Sequence, residues 1–304
     1  MPLSLLSLIL ALSIQEPAEI HPRESGTPRF EATSKVVLVP ATVVDRRGAL
    51  VSGLPRTAFS LTQDNKPQRI ISFGEVDLPA SVGIVLDVSS SMRGLLEPAR
   101  KALRDFFDTC NPEDEAFLYT VSTRSGRDST FTSDFTSLLV PSMFRAAFGN
   151  TALVDTIFAA MQHSKQGRNP RRALLVISDG VDNNSRHSAH ELIRALEEAD
   201  VPVYCISIFN PSPHKKPVEI VEDSNGIALL SELSRRSGGF HVEVRNERDI
   251  KEAAGAIGRA IRDQYLIGYV PEPEATSSNR RHSIQLKISD PAAKVYSRSG
   301  YYDK

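Results

Sequence analysis

The sequence predicts an α/β protein: a doubly wound, mostly parallel sheet with helices on both faces, plus a small β domain built from the two ends of the chain. Three observations lead there. Between Ser81 and Asp263, apolar strand-like runs alternate with amphipathic helical segments, the pattern of βαβ units. Two of those runs, Val82–Leu86 and Leu174–Ile177, are continuously apolar, as strands buried on both faces are, and each soon reaches an aspartate. The flanks, by contrast, are β-branched or alternate with period two, and each is too short to bury a core alone.

In chain order, residues 1–18 read as an export signal. Leu3–Ile14 is apolar and of the right length, and small and polar residues follow it, although only the amino terminus supplies positive charge. The mature protein is therefore expected outside the cytoplasm, secreted or periplasmic. Residues 19–34, rich in Pro, Glu and Ser, read as a linker. The N-terminal β segment, 35–78, holds strands at Lys35–Val44, Ala58–Thr62 and Gln68–Phe73, with Gln63–Pro67 as a hairpin loop.

The α/β domain, 79–263, opens with strand Ser81–Leu86. Helix Leu95–Cys110 follows, with Leu95, Ala99, Leu103 and Phe106 on one face. Strand Ala116–Val121, an edge strand near Thr130–Phe131 and a helix at Phe135–Ala147 come next. Helix Thr151–Ser164, strand Ala173–Ser178, helix His187–Ala199 and strand Val203–Ile208 continue the alternation. Asn210–Asp223, with Pro211, Pro213, Pro217 and Lys215-Lys216, reads as an exposed insertion or a recognition loop, and Arg124–Asp128 is similar. Helix Ala228–Arg236 stops at Gly238-Gly239; strand Phe240–Val244 and helix Ile250–Asp263 complete the domain. The C-terminal β segment, 264–304, carries strands at Tyr265–Val270, Ser283–Ile288 and Val295–Tyr296, with Pro271–Asn279 as loop, and is expected to pair with 35–78.

Bulk numbers narrow the function classes. A formal net charge of −1 argues against a nucleic-acid or anionic-membrane partner held by bulk electrostatics. No apolar run approaches the roughly 20 residues of a membrane-spanning helix. With two cysteines, Cys110 and Cys205, the chain is no disulfide scaffold; buried free thiols are the default, one disulfide the alternative.

Chemistry gathers where the apolar runs end. Asp87-x-Ser89-x-Ser91 closes the first run, Thr151 opens a helix, and Asp179-Gly180 follows the second run. Ligands of open α/β sheets bind at the carboxyl ends of strands, which is where these residues fall. Carboxylate and hydroxyl oxygens are hard donors suited to Mg2+, Mn2+ or Ca2+. Read alone, Ser89–Ser91 could equally be a turn capping the next helix.

Together, Asp87, Ser89, Ser91, Thr151 and Asp179 resemble the metal-ion-dependent adhesion site of von Willebrand factor A domains, in the order and contexts that family uses. The flanking motifs Val43-Val44-Asp45-x-x-Gly48, Tyr265-Leu266-Ile267-Gly268-Tyr269 and Ser297-Arg298-Ser299-Gly300-Tyr301 are similar to those of the mostly exported acidobacterial VWFA-related proteins. Asn65 departs from the glycine expected in the hairpin, but asparagine tolerates the same left-handed turn.

The resemblance implies a Rossmann-like vWA fold over 81 to about 263. It also implies Ser89, Ser91 and Thr151 as direct ligands, with Asp87 and Asp179 balancing charge mostly through water or through the hydroxyls. A Mg2+ (or Mn2+ or Ca2+) so held would accept the Asp or Glu carboxylate of a protein partner, with Asp182 and Asn183 lining that partner's surface. A structural or assembly role with a loop-stabilising metal is the second reading. A metal-dependent hydrolase is the third and weakest, because no G-x-S-x-G elbow surrounds the serines and His187 and His190 lack an H-E-x-x-H context. The chain is therefore expected not to be an enzyme.

Overall fold

A computed structural model describes residues 36–123, 126–208, 217–271 and 280–302. The expected export signal and linker lie outside these residues, as do Arg124, Asn210–Lys216 and nearly all of the Pro271–Asn279 loop. The first flank contributes β1 (Val37–Val44), β2 (Phe59–Gln63), β3 (Lys66–Gln68) and β4 (Ile70–Asp77). The central part runs β5 (Ala80–Asp87), α1 (Leu96–Phe107), β6 (Glu115–Val121), β7 (Gly126–Arg127), α2 (Thr136–Met143), α3 (Leu153–Ser164), β8 (Arg171–Ser178) and α4 (Ala189–Ala199). It continues with β9 (Val203–Ile208), α5 (Pro217–Ser237), β10 (His241–Val244) and α6 (Glu247–Arg262). The second flank adds β11 (Asp263–Tyr269), β12 (Arg281–Ile288), β13 (Lys294–Ser297) and β14 (Gly300–Tyr302).

The central sheet has the order β10-β9-β8-β5-β6-β7, parallel throughout except for the short antiparallel edge β7. Every residue of β5 and of β6 is buried. Strands covered on both faces have no solvent side, hence their unbroken apolar character. On one face, α1 and α6 bring Leu103, Phe106 and Ile257 against Leu86 and Leu118. On the other, α3, α4 and α5 bring Ile157, Leu192 and Leu233 against Val85, Phe117 and Val176. This is the doubly wound α/β fold that the alternation predicts.

The flanks pair with each other, but as two sheets, β13-β1-β11-β4 and β14-β12-β2-β3. Strand β1 lies antiparallel to β11, with Val39 opposite Ile267, and β12 lies antiparallel to β2, with Leu286 opposite Leu61. Their shared core includes Val39, Phe59, Leu61, Ile267 and Leu286. The strand expected at Gln68–Phe73 is divided: Gln68 ends β3 in one sheet, whereas Ile70 begins β4 in the other. Asp64 and Asn65 both take positive φ (49° and 65°) in the turn between β2 and β3, the left-handed conformation asparagine accommodates.

Three further details differ from the sequence expectations. The edge strand is Gly126–Arg127 rather than Thr130–Phe131; Phe131 instead packs edge-on against Phe117. Helix α2 ends at Met143, leaving Phe144 and Phe148 85% and 76% exposed. Helix α5 starts at Pro217, so Pro217–Asp223 is helical rather than loop; proline suits a first turn because its missing N–H needs no partner there. Both cysteines are free, and burial pushes each thiol up to about 12. Among the described residues, no helix is long and apolar enough to cross a membrane.

One ionic cluster ties the flanks to the central unit. The fully buried side chain of Glu197 on α4 accepts from Arg236 Nε on α5 (2.8 Å) and from Arg281 Nε and Nη2 on β12 (2.9 and 2.8 Å). Burial pushes this carboxyl up, but the Arg281 and Arg236 hydrogen bonds and charges outweigh it and hold it below the usual glutamate range. Glu197→Ala, which among the described residues leaves Arg236 with only Glu232 and Arg281 with only Ser299, should lower unfolding stability by about 1–3 kcal/mol in urea titrations. Because the folded carboxyl is the stronger acid, its contribution is present above the ordinary glutamate pKa and fades as pH falls through the folded value. Glu197→Gln should therefore flatten the acid limb of the stability–pH curve.

Candidate metal centre

Strand β5 ends with Asp87 at the middle of the sheet, between β6 and β8, and its carboxylate is fully buried. Ser89 N donates to Asp87 Oδ1 (2.9 Å), and the Ser178 hydroxyl, at the end of neighbouring β8, donates to Oδ2 (2.5 Å). Ser178 Oγ in turn accepts from Gly180 N (2.9 Å), so one hydroxyl fixes both the carboxylate and the turn carrying Asp179. Ser89 Oγ and Ser91 Oγ lie 2.9 Å apart, Ser89 buried and Ser91 exposed. The donors thus run from a buried floor to an open mouth.

Backbone hydrogen bonds draw the other two segments to this loop. Phe148 N donates to Val88 O (2.9 Å) and Ser90 N to Gly149 O (3.0 Å), which anchors the approach to Thr151. Thr151 is buried; its N donates to Asn183 Oδ1 (2.9 Å), and its carbonyl accepts from Asn183 N and Asn184 N (3.0 Å each). Val181 N donates to Asp179 Oδ1 (3.1 Å). Further along that loop, Asp155 on α3 accepts from the amides of Arg186 and His187 and from His187 Nδ1 (2.7 Å). All five predicted metal residues therefore sit on one rim, on three segments tied mainly by main-chain hydrogen bonds.

Burial and like charge act together on the two rim carboxylates. Burial, with the negative charge of Asp179 beside it, pushes the Asp87 carboxyl up to about 7, against the opposing hydrogen bonds from Ser178 and Ser89. Two mutually repelling carboxylates with hydroxyl oxygens close by match what a hard divalent cation requires. Among the described residues there is no group of three His, Cys, Asp or Glu side chains that could hold a metal, so an ion at this rim would have to draw on the hydroxyl oxygens as well as the two carboxylates.

Asp182 is half-buried and accepts from Ser185 N (3.3 Å); Asn183 is exposed, with its amide oxygen engaged by Thr151 N. His187 stacks on Phe158 (4.6 Å between ring centres) and pairs with Asp155. A cleft of about 630 Å3, lined in part by Thr123, Ala152, Asp155, Phe158 and Asn184, opens beside Thr151. Ser178 and Gly226 were not singled out from sequence. A polar residue ending an apolar strand was a readable sign for Ser178; Gly226 had none, because its role is contact with a distant turn.

That contact is close. Gly180 has φ +83°, and a Cβ there would collide with the Gly226 backbone on α5. Gly48 has φ +82° with open space around it. Gly48→Ala should cost only left-handed strain, about 1–2 kcal/mol. Gly180→Ala should cost about 1–3 kcal/mol more, through the added clash, in the same urea titration.

The family model of the von Willebrand factor type A domain matches residues 82–181, which include all five rim residues. No curated protein matches the chain. Among solved structures, the conserved hypothetical protein BatB from Bacteroides thetaiotaomicron is similar at 22% identity and TM-score 0.48, over 60% of this chain and 98% of that one. A von Willebrand factor type A protein from Catenulispora acidiphila is similar at 12% identity and TM-score 0.48, over 77% and 73%. The vWF domain of the type V pili tip protein Mfa5 from Porphyromonas gingivalis is similar at 11% identity and TM-score 0.44, over 66% and 99%. The sheet order, the helices on both faces and the matched segment together give the central α/β unit of this chain the von Willebrand factor A fold.

Proposed function

We propose that this chain is a protein-binding module whose partner engages it through a divalent cation, Mg2+ or else Mn2+ or Ca2+, at the rim of the central sheet. Ser89, Ser91 and Thr151 would hold the ion through hydroxyl oxygens, and Asp87 and Asp179 would balance its charge. Bound there, such an ion supplies an electrophilic site for an oxygen donor, and an Asp or Glu carboxylate from the partner fits it. The observation that carries this reading is the convergence of segments 87–91, 149–151 and 179–184 around two repelling carboxylates at an open edge.

The chain's own residues do the positioning. Ser178 and the Ser89 amide fix the Asp87 carboxylate, and the Gly149 and Asn183 contacts fix Thr151 just ahead of α3. Hydrogen bonds between the rim segments share in holding the loops together, which is compatible with an ion that serves recognition rather than structure alone. Exposed Phe148, whose amide bonds to Val88, supplies apolar contact surface on the same rim. A nucleophilic role for the serines has less support: Ser89 and Ser91 bond to each other, and among the described residues no histidine contacts either.

Calorimetric titration tests the site. Wild type should bind Mg2+ or Mn2+ saturably with one-to-one stoichiometry, and Asp87→Ala should show no binding while its circular dichroism is unchanged. Ser178→Ala, which frees one Asp87 oxygen, should weaken affinity about 10- to 100-fold, with Ser178→Thr retaining it. Unchanged Mg2+ binding by Asp87→Ala would contradict the assignment. In capture experiments, a protein partner should be lost with EDTA and with Ser89→Ala. Cooperative unfolding caused by EDTA alone would favour the structural-metal reading instead.

A further inference from the structure

At the opposite end of β8 from Ser178, a cavity of about 130 Å3 lies against the seam between the central sheet and the flanking β strands. Arg171, Arg172, Asp200, Ser237, Gln264 and Arg298 are among its lining residues. Arg171 is the first residue of β8. Its Nη1 donates to the neutral amide oxygen of Gln264 (2.6 Å), whereas its buried Nε and Nη2 have no hydrogen-bond partner among the described residues. Arg298 pairs with Asp200 (2.8 Å) and donates to Leu38 O (2.6 Å), yet its buried Nε is also unpartnered.

Two of the lining guanidinium groups, Arg171 and Arg298, therefore carry buried unpartnered N–H groups, while exposed Arg172 donates to Gly167 O; the one lining carboxylate, Asp200, is already engaged. An uncompensated charge taken out of water is costly, and proteins normally supply a buried arginine with an anionic partner. Burial pulls the Arg171 guanidinium below its ordinary pKa, against an opposing contribution from Tyr204. The volume corresponds to about four times the share one water takes in the liquid, room for a four-oxygen ion. Guanidinium groups match such ions with paired N–H donors.

We propose that this cavity binds a small inorganic oxyanion of the phosphate or sulfate type. The site is independent of the cation rim: Arg171 and Ser178 are the two ends of β8, about 23 Å apart at the ordinary rise of an extended strand. An ion there would compensate Arg171 and accept from the unpartnered Arg298 Nε at the junction where β1 and β11 meet the central unit.

The test is thermal unfolding and calorimetry of the whole chain in EDTA, so that no anion is held through a rim cation. Inorganic phosphate and sulfate are titrated at constant ionic strength against chloride. Wild type and the exposed control Arg235→Met should show a saturable rise in Tm and a measurable Kd; Arg171→Met should raise that Kd at least tenfold. If Arg171→Met does not fold, Arg171→Lys, which keeps the charge but loses the fork, should still bind at least several-fold more weakly. Equal effects of chloride and phosphate would overturn the proposal. So would unchanged phosphate binding in the Arg171 variants, or a wild type that ignores anions while Arg171→Met is the more stable protein, as a water-filled cavity would give.

Discussion

Folding places the carboxylate of Asp87 out of reach of solvent and next to a second carboxylate, and much of the rim is arranged to make that tolerable. The position follows from β5 lying between β6 and β8: a strand apolar on both faces can sit only inside the sheet, so its last residue emerges at the centre of the carboxyl edge. There it meets the end of β8, and Ser178 and the Ser89 amide take up its oxygens. These bonds relieve the charge in part; burial and Asp179 still dominate. The proposed divalent cation would offset that residual imbalance.

The rest of the architecture keeps the rim rigid from outside. Helix α3 starts where Thr151 is clamped between Gly149 and Asn183, and the Asp155–His187 contact pins the loop beyond Asp179 to the same helix. Helix α5 packs so tightly on Gly180 that neither Gly180 nor Gly226 has space for a side chain. At the far edge of the domain, Glu197 joins α4, α5 and β12, so the flanking sheets are fastened to the helices that bracket the rim.

Much of this was legible in the sequence because buried parallel strands and amphipathic helices write strong periodic signals. The runs at Val82–Leu86, Leu174–Ile177 and Val203–Ile208 are such cases, and each corresponds to a strand. The pairing of the flanks followed from a general need, since neither could bury a core alone. What the sequence hid depends on contacts between distant residues. That Gln68 and Ile70 belong to different sheets is decided by β2 on one side and β11 on the other. Val218, Ile220 and Val221 lie on an exposed helical turn after prolines, where the local pattern resembles a loop. Asn183 was expected to line the partner surface, and its amide oxygen also holds the Thr151 amide; only the fold brings those two together. Arg171 carries no local sign of lacking an acidic neighbour.

The central claim, that hydroxyls from two separate segments and two carboxylates gather around one cation, is tested most directly by anomalous diffraction from crystals grown with Mn2+. The account predicts one strong Mn2+ peak at the rim, within bonding distance of Ser89 Oγ and Ser91 Oγ and adjacent to Thr151, and no such peak in Asp87→Ala crystals. A well-ordered rim in Mn2+-saturated crystals with no peak there, or a peak bound only elsewhere, would contradict it.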